Sequence, residues 1–81
     1  MLSCEYHDYI EIVCMFRYPV KLTLVTGDVI LGTALDTVRN EANAECVKLT
    51  LDDSVFLQEI GSIKSLEVTI DNPHVKQVNF K

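Results

Sequence analysis

The chain reads as a mainly β protein, a strongly bent antiparallel sheet or small antiparallel barrel with one helix in front of it. Three observations predict this. Apolar residues recur at helical spacing only near the N-terminus, the period drops to two after Pro19, and short apolar runs then alternate with polar turns about every eight to twelve residues. With 81 residues, the sequence has room for one core, so positions 1–81 are expected to form one domain.

The helix is predicted over about 4–17. Tyr6, Ile10, Val13 and Cys14 are three and four residues apart, so they share one face. Ser3 is a suitable N-cap, Glu5 suits the positive end of the helix dipole, and Pro19 is the expected stop. From there Val20, Leu22 and Leu24 alternate with Lys21, Thr23 and Val25, and Thr26-Gly27-Asp28 turns the chain into Val29 to Leu35 as a hairpin. Arg39 to Ala44 is polar and reads as a loop. Val47, Leu49 and Leu51 restart the alternation, and Asp52-Asp53-Ser54 reads as a tight turn. Further strands are expected at Val55 to Ile60, Ile63 to Ile70 and Val75 to Phe80, with Asp71-Asn72-Pro73 as a break, so all strands fall within 20–80.

Composition narrows the function. Twelve acidic residues against seven Lys and Arg give a net charge of −5, which opposes a broad grip on phosphate and favours a basic partner. No direct nucleic-acid contact is therefore expected. The three cysteines form no CxxC pair and suit a reducing compartment. No apolar run approaches the ~20 residues of a membrane span, so a cytoplasmic protein without a membrane partner, monomeric when free, is expected. Cys4 and His7 are spaced like half a zinc site, but the second pair is missing, so neither metal nor cofactor is expected. His74 stands alone in a loop, and no phosphate-cradling glycine motif occurs. No residues present themselves as catalytic, and the chain is read as a binding protein rather than an enzyme.

The contact surface is expected on the helix. Asp8, Glu11, Ile12 and Met15 fall opposite Ile10 and Cys14, with Glu5 beside them and Tyr9 on the border. Carboxylates at i and i+3 repel one another, whereas a helix shaped only for stability would interleave lysines. Acids with exposed apolar side chains offer charge for orientation and apolar area for affinity. A second candidate contact is the loop carrying Arg39, Asn40 and Asn43.

Two resemblances follow from motifs. Gly27, Gly32 and Asp36, in the register Val-x-Leu-x-Leu-x-x-Gly-x4-Gly-x3-Asp, resemble the first motif of the Sm and Sm-like family, and Ile60-Gly61-x-Ile63 resembles the second. The expected fold is therefore an Sm-like barrel, and an Sm-like RNA binder assembled as a ring is the alternative function. The run Ser3-Cys4-Glu5-x-x-Asp8-Tyr9-Ile10-Glu11-Ile12-Val13-Cys14 is followed by Leu22-Thr23-Leu24-x-x-Gly27 and Ala34-x-Asp36. With Ser62-Ile63-x-Ser65-Leu66-Glu67-Val68 and Asp71-Asn72-Pro73-His74, it is similar to the Rof family, the Rho-binding antiterminators also called YaeO. That resemblance implies an inhibitor of the termination factor Rho, whose acidic helix, through Glu5, Asp8 and Glu11, occupies Rho's primary RNA-binding site and blocks RNA loading. At Tyr6 and His7 the chain departs from the acid and tyrosine common in that family.

Overall fold

The computed structural model describes residues 4–73 and 75–80, the first four by their backbone alone. The elements run α1 (Cys4–Met15), β1 (Pro19–Leu24), β2 (Val29–Arg39), β3 (Glu45–Leu51), β4 (Ser54–Glu59), a 3₁₀ turn (Ile60–Ser62), β5 (Ile63–Val68) and β6 (Gln77–Asn79). The expected N-cap Ser3 lies outside the described residues.

The helix stops two residues before its expected end, and not because of Pro19. The Tyr18 N–H donates to the Val13 carbonyl at 3.0 Å, the Arg17 N–H to that of Cys14 at 3.1 Å, and Arg17 adopts φ 52°. This is a Schellman closure, which satisfies the last carbonyls by a left-handed residue usually supplied by glycine. Val13 and Tyr18, the two residues it brings together, are both buried. The ring of Tyr18 also stacks on that of Phe16, centroids 5.5 Å apart.

The strands form one antiparallel sheet of order β4-β3-β2-β1-β5-β6. The expected closed barrel is not formed: among the described residues β4 and β6 are opposite edges, with no pairing between them. Curvature comes instead from β2, which is shared between neighbours. Its first half, Val29 to Thr33, pairs with β1 and its second half, Thr33 to Arg39, with β3, and only Thr33 pairs with both. The register slips by one residue between Ala34 and Asp36, so Leu35 is a bulge and the strand bends there. Gly32 sits just before the bend, where a Cβ would come 3.2 Å from the Thr50 carbonyl oxygen and 3.6 Å from the Phe56 ring. Glycine is needed for that close approach.

Alternation along β1 places Val20 and Leu22 inward, where they meet Val68 and Leu66 of β5 in register. Val47 and Leu49 of β3 add to the same core. Ile10, Val13 and Cys14 of α1 close it from one side, and Val75, Val78 and Phe80 from the end of the chain. Two strands are shorter than expected. β5 ends at Val68, leaving Ile70 half exposed, and β6 covers only Gln77–Asn79 because the Asn72 side chain folds the chain before it. Asn72 Oδ1 accepts the Val75 N–H at 2.8 Å and its Nδ2 donates to the carbonyls of Val75 and Ile70, while the ends of the loop meet the sheet where the Thr69 N–H donates to the Pro19 carbonyl and the Val68 N–H to that of Lys76.

Candidate interaction surface

Helix α1 lies against the bent strand β2, with Ile10 and Val13 essentially inaccessible and Cys14 close to it. That anchoring turns Asp8, Glu11 and Met15 outward, and all three are exposed, Met15 by 70%. At 100° per residue, positions 8, 11 and 15 fall within one narrow arc of the helix. Neither the Asp8 nor the Glu11 carboxylate makes an ion pair or a hydrogen bond among the described residues. Both carboxylates are thus presented to solvent.

One expected member of this face is placed differently, while Tyr9 stands at its border as expected. Ile12 is half-buried and packs against the core together with Tyr9, which is also half-buried. They are three residues apart and form one ridge, and the core wraps around that flank of the helix. Periodicity identifies the buried stripe but does not say which flank the rest of the chain covers. The exposed apolar contribution is therefore Met15 rather than an Ile12 and Met15 pair. The side chains of Glu5, Tyr6, His7 and Cys4 lie outside the described residues, as does His74.

The fold extends the acidic surface beyond the helix in a way the sequence did not announce. Asp36, exposed at the β2 bend, lies near enough to α1 that its carboxylate acts on the Cys14 thiol, as does that of Glu11. Burial is the larger cause, and the thiol is pushed from 9.0 up to about 11, so Cys14 stays protonated and unreactive. Cys46 is buried as well, its Sγ 3.5 Å from the Ala44 carbonyl oxygen. Neither thiol fits a nucleophile. The only available signal for Asp36 was its place in the hairpin motif, since the one-residue bulge that sets its direction leaves no mark in the alternation.

The second candidate contact is partly consumed by the fold. Asn40 is half-buried, its Oδ1 accepting the N–H groups of Ala42 and Ala44, both at 3.0 Å, while its Nδ2 donates to Glu59 at 3.1 Å. Its amide therefore fastens the β2–β3 loop and is not free for a partner. Asn43 is exposed with φ 63° and its carbonyl accepts from Arg39 Nη1 at 2.9 Å, while Arg39 Nη2 lies 3.6 Å from Glu45. Glu45 and Glu11 line one small cavity of about 40 Å³ with Ile10, Thr37 and Ile60, so the end of β2 lies beside the acidic helix.

Among the described residues, the helix thus presents two carboxylates and the Met15 side chain on its outer face, and both described thiols are buried. Residues 1–80 match the family described as Modulator of Rho-dependent transcription termination (ROF), and the chain belongs to that family. Among solved structures, "YaeO bound to Magnesium from Vibrio cholerae O395" is 40% identical with a TM-score of 0.87, covering 91% of this chain and 96% of its own. No curated protein sequence matches. The alternative of an Sm-like RNA ring gains no support from this membership. That relative carries magnesium; in this chain, among the described residues, no three His, Cys, Asp or Glu come together to hold a metal ion. Nor is any described helix long and apolar enough to cross a membrane.

Proposed function

We propose that this protein suppresses Rho-dependent termination by laying the outer face of α1 on Rho's primary RNA-binding site, so that transcript cannot load. The observation that carries this reading is the pair of exposed carboxylates, Asp8 and Glu11, with no ion-pair or side-chain hydrogen-bond partner among the described residues, on a helix whose other side is fixed in the core. Membership of a family that modulates Rho-dependent termination supplies the partner. A site that accepts RNA is basic, and carboxylates held on a rigid element take the places of phosphates there. Met15 adds apolar area, half-buried Tyr9 brings part of a ring to the border of the face, and Asp36 extends the charge toward the sheet.

The test is competition. Labelled pyrimidine-rich RNA bound to Rho should be displaced by this protein, and displacement should disappear for Asp8→Lys with Glu11→Lys, which moves the net charge from −5 to −1 without touching the core. Circular dichroism and thermal melting establish that the double variant is folded. Displacement by that folded variant equal to the unmodified protein's would overturn the helix as the contact, and absence of displacement by the unmodified protein would overturn competition with RNA.

A further inference from the structure

The two edges of the sheet are protected very differently. On one side β6 is only three residues long, Gln77–Asn79, with Lys76 before it and Pro73 in the approach. On the other, β4 is six residues, Ser54–Glu59, containing neither lysine nor proline and no bulge in its pairing with β3. Short strands, lysines, prolines and bulges are the usual means by which an edge avoids pairing with another chain, and β4 has none of them.

The direction of the β4 main chain follows from its turn. Asp52 and Asp53 have φ of 52° and 68°, a two-residue type I′ connection, so the closing pair Leu51 and Ser54 is a hydrogen-bonded one. Bonded and non-bonded pairs alternate from there. Phe56 opposite Leu49 and Gln58 opposite Val47 thus bond to β3, while the main-chain groups of Val55 and Leu57 face outward. Their side chains are also exposed, by 56% and 45%.

We infer that β4 is a docking edge for an extended segment of another protein, one with apolar residues at alternate positions and basic residues at its ends. The outer main chain of β4, unpaired among the described residues, selects a strand, and Val55 and Leu57 select its apolar alternation. The charge at the ends selects the sign, because Asp52 and Asp53 precede β4 and Glu59 ends it, all exposed. Lys48 stands opposite Leu57 on β3, half-buried, so a basic residue is favoured at the ends of the incoming strand and not at its middle. The same acids oppose a second copy of this chain in the centred antiparallel register. Pairing Phe56 with its symmetry mate would set Glu59 across from Asp53 of the other copy, a repulsive arrangement.

Amide hydrogen exchange by NMR reads this edge directly and needs no Rho, so its outcome is separable from that of the competition assay. The probe is the amidated peptide Lys-Lys-Thr-Val-Thr-Val-Thr-Lys. In the free protein Val55 and Leu57 should exchange fast and Phe56 and Gln58 slowly. The peptide at about 1 mM should slow Val55 and Leu57 by about tenfold or more. A counterpart with glutamates in place of the lysines should have no such effect. Leu57→Pro removes only an outward N–H and should abolish the response in a folded protein; Val55→Lys with Leu57→Lys should abolish it by charge. No slowing at Val55 and Leu57, slowing confined to α1, or an equal response to the glutamate peptide would overturn the inference. So would protection at β4 that appears without peptide and grows with protein concentration, which would make a second copy the occupant.

Discussion

Replacing Ile10 by alanine tests the claim that the acidic face acts through a helix fixed in the core. Ile10 is 1% exposed. The truncation removes three carbon groups, each about 0.8 kcal/mol of burial, and leaves a cavity whose walls relax only partly, so the cost should be about 3 kcal/mol. A chain of this length has roughly 4 to 12 kcal/mol of stability in all, which makes that loss a large fraction. At a urea slope of about 1 kcal/mol/M, the midpoint should fall by about 3 M. Met15→Ala on the same helix is the internal comparison: with 70% of its surface exposed, it should change stability by less than about 0.5 kcal/mol. Rho binding should show the reverse dependence on direct contact, with Met15→Ala weakening it in a fully stable protein and Ile10→Ala weakening it through loss of helix anchorage. Urea melts followed by circular dichroism give both stabilities. An Ile10→Ala cost below about 1 kcal/mol, or a larger cost for Met15→Ala, would refute the packing on which the functional reading depends.

Three more outcomes follow from named contacts. Because the Cys14 thiol is raised to about 11 in the folded protein from 9.0, the unfolded chain binds fewer protons between those values. The contribution is therefore complete below pH 9.0 and is lost as pH rises toward 11, and Cys14→Ala should remove that part of the slope; identical slopes in chemical melts at stepped pH would refute it. Asn40→Ala should cost about 1 to 2 kcal/mol, by loss of the hydrogen bonds that fasten the β2–β3 loop, with backbone shift changes near 40–44 and Glu59; unchanged stability with weakened Rho binding would instead make Asn40 a contact. Arg17→Gly should raise stability by about 0.5 to 1 kcal/mol, because Arg17 holds a left-handed conformation that costs a side chain and not a glycine, and a lowered melting temperature would show that the arginine side chain contributes more than this strain.

What could be read from the sequence was whatever leaves a periodic mark. The stripe Ile10, Val13 and Cys14 identified the buried side of α1, and Val20 and Leu22 the inward side of β1, because each period is a direct image of the backbone. The stop at Met15 was not legible, since its left-handed residue is an arginine where glycine would have been the signal. Closure of the sheet was not legible either, because alternation describes each strand and says nothing about which edges meet. At the site, Asp8, Glu11 and Met15 stood out as residues three and four apart on the helix. Ile12 was misassigned to the exposed face because the covering of a helix flank is decided by the rest of the chain. Asp36 and the engagement of Asn40 with Glu59, nineteen residues further on, depend on the tertiary fold.

The position of β1 between β2 and β5 has a kinetic consequence. The hairpins from β1 through β4 join neighbours in sequence and require only short loops to close, but β1 meets β5 through pairs as distant as Val20 and Val68. That contact demands the closure of a long loop and must await most of the chain. Mutations at the β1–β5 seam should therefore act mainly on how fast the protein unfolds, if the consecutive hairpins form the folding nucleus and the seam locks last.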